Sequence, residues 1–151
     1  MLNFKNSLMI ERPAAEVFQF VANFENMPKW NYFVTDVKKI SSGPIVEGTT
    51  YHQVRKTDEQ RYEIVEYELN RRVAVKTIQP APALLMRFTF EARGDHTLLT
   101  DEWELETSYP GLIERVASFR VKAAIRENLS HLKQLLETGR TQLQDGRLAV
   151  L

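Results

Sequence analysis

The chain contains no cysteine. That excludes disulfides, thiolate metal sites and a thiol nucleophile, and it fits a reducing compartment. Net charge is also absent, because 20 Lys and Arg balance 20 Asp and Glu. A general affinity for nucleic acid or for an anionic membrane would reward a basic excess, so no nucleic-acid partner is expected. Long apolar runs are missing too. Nothing approaches the ~20 residues that span a bilayer, and the opening MLNFKNSLMIERP lacks the continuous apolar core of a signal peptide. The expectation is a cytoplasmic protein with no integral membrane segment. Catalytic signatures are equally scarce. There is no P-loop, no Rossmann glycine pattern and no G-x-S-x-G around any serine. The histidines His52, His96 and His131 stand at no ligand spacing from a carboxylate, so no metal site is expected.

What is present is enough for one well-packed domain. The chain has 151 residues, 43% hydrophobic and 26% charged, and a domain of this length buries roughly 68–70% of its unfolded surface. Residues 3–11 place Phe4, Leu8 and Ile10 on one parity and read as a strand. In RPAAEVFQFVANF (12–24), Pro13 suits a first helical turn, and Val17, Phe18, Val21 and Phe24 recur at helical spacing. ENMPKW then breaks that helix. Strand patterns follow at 32–40, 49–57, 60–69, 73–79, 83–93 and 98–107, separated by turn-forming stretches. Residues 112–138 hold no Gly or Pro and carry a helical apolar stripe, with Gly139 as an end signal. Residues 140–151 are expected to be a flexible tail after a domain spanning 1–139. Strands, short helices, a run of antiparallel strands and one long helix make an α+β pattern. A long helix laid on a curved sheet leaves a hollow, and hollows of that kind are preferred ligand sites.

The segments IERPAAEVFQFVANFENMPKW, EGTTYHQV, YEIVEYELNRRVAV and NLSHLKQLLE resemble, in that order, landmarks of the START-like, helix-grip superfamily (SRPBCC), of polyketide cyclase/dehydrase and lipid-transport type. The resemblance covers roughly residues 3 to 138. It implies a curved antiparallel sheet of about six or seven strands wrapped around a long C-terminal helix, with two short helices after the first strand. It also implies an apolar cavity, usually without a metal or an organic cofactor. It places Trp30 and Phe33 near one end of that cavity, with Ile113, Val116 and Phe119 of the long helix opposite.

Alternation assigns the faces of the strands. Met86, Phe88 and Phe90 point inward. Leu99, Asp101, Trp103 and Leu105 share a face, which sets one carboxylate among apolar neighbours. Val73, Val75 and Thr77 go inward, and Tyr62 and Ile64 are favoured over Glu63 and Val65. At 49–55, alternation does not separate Tyr51 and Gln53 from His52 and Val54; the resemblance favours Tyr51. Three functions compete. The leading one is a binding module for a small hydrophobic or amphipathic molecule (lipid, isoprenoid, quinone or aromatic polyketide), with Tyr51, Tyr62 and Asp101 as polar anchors. The second is a cyclase- or dehydratase-like enzyme using Asp101 as acid or base, assisted by Tyr62 or His52. The third is an interaction or co-chaperone-like protein, or a homodimer.

Overall fold

The computed structural model describes residues 2–78, 83–106 and 111–151, the side chains of 112–114 excepted. Its element order is β1 (Leu2–Ile10), α1 (Ala14–Ala22), a 3-10 helix (Phe24–Lys29), β2 (Val34–Lys39), β3 (Thr50–Arg55), β4 (Glu59–Glu68), β5 (Arg72–Thr77), β6 (Leu84–Arg93), β7 (His96–Leu105), α2 (Gly111–Thr138), β8 (Arg140–Gln142) and β9 (Leu148–Val150). Seven strands form one antiparallel sheet in the order β1-β7-β6-β5-β4-β3-β2. This is the α+β helix-grip arrangement expected from the sequence. β1 and β2 are opposite edges, so α1 and the 3-10 helix carry the chain from one edge to the other. None of the described helices is long and apolar enough to cross a membrane.

The hairpins follow local chemistry. Asn70, in the NRR turn between β4 and β5, has φ 62°, a left-handed conformation that asparagine adopts more readily than most residues. β4 carries a bulge between Ile64 and Glu66. The extra residue shifts the parity, so Tyr62 and Ile64 face inward before it and Tyr67 faces inward after it. Simple alternation fails along this strand for that reason.

One aromatic cluster fixes the crossing helices to the sheet. Phe18 of α1 meets Phe90 and Tyr67 edge-on, at 5.1 and 5.5 Å between centroids. Phe24 of the 3-10 helix meets Tyr51 and Tyr62, at 5.5 and 5.7 Å. Trp30 packs against Phe88 at 6.2 Å. Edge-to-face contacts at these separations add to the burial of the rings.

α2 is clamped at its C-terminal half. Leu129, Leu132, Leu135 and Leu136 are buried. Lys133 donates to the Met9 carbonyl at 2.6 Å, and Glu137 accepts from the Glu11 N–H at 2.7 Å. Gly139, at φ 86°, ends the helix and returns its N–H to Leu135 at 2.9 Å.

The last twelve residues, expected as a flexible tail, form instead the β8–β9 hairpin. Thr141, Leu143 and Ala149 are buried. Arg147 donates to the carbonyls of Pro28, Tyr32 and Val34, at 3.4, 2.9 and 3.2 Å. Asp145 bridges Lys56 at 3.0 Å. Its attachment rests largely on hydrogen bonds from Arg147 to remote carbonyls, which leave no periodic signal in the sequence.

Candidate functional site

Antiparallel pairing stacks side chains into rows across the inner face. One row runs Asp101, Phe88, Val73 and Tyr67; the next runs Trp103, Met86, Val75 and Ile64. The first row is covered by the aromatic cluster. The second lies under the N-terminal half of α2, where the interior opens into a cavity of about 350 Å³. Met86, Trp103, Leu84 and Leu105 form its wall on β6 and β7, and Val75 and Thr77 its floor on β5. Tyr62, Gln60, Gln53 and Arg55 form the opposite wall on β4 and β3. Val121, Ala124, Ile125, Arg120 and Asn128 of α2 make the roof, and Met27, Asn31, Phe33 and Val34 close the end.

The segment around Asn31 is pinned. The Asn128 side-chain oxygen accepts the Tyr32 N–H at 3.2 Å, and the Asn31 side-chain oxygen accepts the Phe33 N–H at 2.9 Å. Together with the three carbonyls held by Arg147, these bonds keep Phe33 at the cavity's end.

The expected site residues therefore divide. Phe33, Tyr62, Val75, Met86 and Trp103 line the cavity. Trp30, Tyr51, Ile64, Phe88, Phe90 and Asp101 are buried but are not among the residues that line it. Alternation gives the face of a strand. It does not give the point along the strand at which a covering helix stands away. Val116 and Phe119 were placed on the cavity side of the long helix, and this is corrected. They are 53% and 78% exposed, because at about 3.6 residues per turn they lie on the face of the helix opposite Val121, Ala124 and Ile125, which are among the described α2 residues that line the hollow. The side chain of Ile113 lies outside the described residues. His52 is on the outer face, with Nε2 3.1 Å from the Glu59 carboxylate, while Tyr51 takes the inner face. Gln60, Asn128 and Ala124 were missed; small and polar side chains contribute nothing to an apolar stripe.

Asp101 is enclosed. Its Oδ1 accepts the Trp103 indole N–H at 3.0 Å. Burial pushes its carboxyl up to about 8, against the pull of that indole bond and with a further push from Glu102. Asn6 on β1 and Phe88 on β6 flank it in register. Tyr51 and Tyr62 stack at 5.4 Å. Neither hydroxyl has a hydrogen-bond partner among the described residues. Burial raises both phenols, Tyr51 up to about 12 with help from Glu25 and Tyr67, and Tyr62 well above its ordinary value with help from Tyr51. Among the described residues no group of three His, Asp or Glu is placed to hold a metal ion.

The polyketide cyclase / dehydrase and lipid transport family model matches residues 1–137. Solved structures share the fold. The Aha1 dimer from Colwellia psychrerythraea is 17% identical, with a TM-score of 0.71, covering 92% of this chain and 98% of that one. A START superfamily protein from Mycobacterium smegmatis is 19% identical, with a TM-score of 0.64, covering 91% and 95%. The di-domain ARO/CYC StfQ from the steffimycin biosynthetic pathway is 18% identical, with a TM-score of 0.66, covering 89% of this chain and 44% of that one. No curated protein matches the chain.

Proposed function

The chain belongs to the polyketide cyclase/dehydrase and lipid-transport family, and from that premise we propose that it binds a small hydrophobic or amphipathic molecule in the cavity beneath α2. The observation that carries this reading is the hollow itself. Protein interiors pack like organic crystals and leave few voids larger than a water molecule. A volume of about 350 Å³ equals that of roughly a dozen waters in the liquid. The walls on β5 to β7 are nearly all apolar, so an apolar molecule entering there recovers about 25 cal/mol per Å² of surface removed from water. A lipid, an isoprenoid or quinone, or an aromatic polyketide suits such walls. The resemblance to a START superfamily protein and to an ARO/CYC protein supports the same reading.

An enzyme built on Asp101 with Tyr62 or His52 gains no comparable support. Asp101 and Tyr62 sit on β7 and β4, three strands apart, which at ~4.8 Å per strand is about 14 Å. His52 faces the other side of the sheet. Such spacing is far beyond hydrogen-bond reach.

Native mass spectrometry of the purified protein, compared with the denatured chain, tests the binding reading. A mass that is retained under native conditions and lost on denaturation is the expected result. Ala124→Trp fills the hollow from the roof and should abolish that retained mass, and the binding of any added apolar probe, without lowering the melting temperature. Unchanged binding in Ala124→Trp would place the ligand elsewhere and overturn the reading.

A further inference from the structure

The cavity is polarised across the sheet. On β6 and β7 the lining side chains are Leu84, Met86, Trp103 and Leu105, and the one polar atom among them, the Trp103 indole nitrogen, is already committed to Asp101. On β3 and β4 every lining side chain carries a polar group: Gln53, Arg55, Gln60 and Tyr62. Arg55 is occupied by Asp58, through two bonds of 2.6 and 2.5 Å. Gln53 donates to Gln60 at 3.4 Å, which leaves the Gln60 amide hydrogens over. The Tyr62 hydroxyl has no partner, nor does that of Tyr51 stacked beside it. A buried hydroxyl that gives up water without gaining a partner is a net cost to the fold, and most buried polar groups in folded proteins are satisfied. Among the described residues no carboxylate side chain lines the hollow.

We infer that the bound molecule is uncharged and carries a hydrogen-bond-accepting oxygen, a ketone, quinone or ester carbonyl, which it presents to Tyr62 and the Gln60 amide at the β3–β4 wall while its apolar body lies against Met86 and Trp103. This rests on the cavity-binding reading and narrows it. The phenols stay protonated through the physiological range because burial raises both, so they serve as donors. A carboxylate head is disfavoured at this wall. Its desolvation would need a cation at this wall, where Arg55 is spent on Asp58; Arg120, the other arginine lining the hollow, is on the roof and exposed. A hydrocarbon is disfavoured too, because it would leave the hydroxyl as it stands.

Three probes of matched shape decide it: acetylnaphthalene, isopropenylnaphthalene and naphthoic acid, titrated into the full chain with tryptophan fluorescence as readout. The ketone should bind at least about tenfold more tightly than the alkene and than the acid, the factor that one satisfied hydrogen bond supplies. Tyr62→Phe removes only the hydroxyl. It should reduce the ketone to the affinity of the alkene, leave the alkene unchanged and not lower the melting temperature. Tyr51→Phe should weaken the ketone less. A ketone preference that is absent, or that survives Tyr62→Phe, overturns the inference while leaving the cavity as a binding site. Tighter binding of the acid overturns it in favour of an anionic head. Binding of none of the three overturns the cavity reading itself.

Discussion

Asp101→Asn exchanges a buried carboxyl for an amide of nearly the same shape. The amide oxygen can still accept the Trp103 indole N–H that Asp101 accepts at 3.0 Å, so packing should survive and only the titration is removed. Burial raises the wild-type carboxyl from 3.8 to about 8. Between those values the native state keeps a proton that the unfolded chain has lost. Wild-type stability therefore falls as pH rises, by about 1.4 kcal/mol per unit, and levels off above pH ~8. From about pH 5 to about pH 9 the loss is roughly 4 kcal/mol, a large share of the 5–15 kcal/mol that holds a typical domain together. The variant has no such proton. Every other titrating group is common to both proteins and cancels in their difference. Urea unfolding of both at the two pH values measures it, with equal m-values showing that the same surface is exposed. The variant should gain about 4 kcal/mol on wild type over that range, with the gain complete near pH ~8. A difference that stays constant with pH, to within about 0.5 kcal/mol, would refute the claim that this carboxyl is desolvated.

Three further outcomes follow from the same contacts. Arg147→Ala should cost about 2–3 kcal/mol in thermal melts, because it frees the carbonyls of Pro28, Tyr32 and Val34; Arg147→Lys should not restore it, since an ammonium lacks the planar fork that reaches all three. Phe119→Ala should stay within about 0.5 kcal/mol of wild type because the ring is 78% exposed, whereas Leu132→Ala, fully buried, should lose about 2–5 kcal/mol; equal losses would contradict the facing of α2. Amide hydrogen exchange should be faster across residues 115–124 than across 128–138, where the buried leucines lie; uniform protection along the helix would show that the first half is held as firmly as the second.

The sequence made the fold legible because its elements announce themselves locally. The alternation in 84–91 and 99–105, and the unbroken helical stripe of 112–138, needed no tertiary information. The site was legible by face and illegible by depth. Met86 and Phe88 have the same parity on the same strand, yet one lines the cavity and the other packs against Phe24 and Trp30. Only the standing-off of α2 separates them, and that depends on contacts tens of residues away. Alternation placed Tyr62 and Ile64 inward, but the bulge after Ile64 hid the inward facing of Tyr67. The Tyr62 hydroxyl is conspicuous only once its neighbours are known, since a tyrosine in a strand has no sequence signal for lacking a partner.

The position of the hollow has a cause in α2 itself. From 128 to 138 the helix meets the sheet with Leu129, Leu132, Leu135 and Leu136, all buried, and is tied to the β1 end through Lys133 and Glu137. From 115 to 124 it buries nothing fully, and it offers the sheet Val121 and Ala124. A leucine fills the gap between a helix and a sheet about 10 Å apart; an alanine does not. The change from large to small along one face therefore sets a clamp and a roof on the same rigid rod. Asn128 stands where the two meet, giving its side-chain oxygen to the Tyr32 N–H and so joining the roof to the segment that closes the cavity's end. Because the clamp holds the helix without help from the first half, the part-exposed surface of Val121 and Ala124 is left to gain its contacts from whatever occupies the space below.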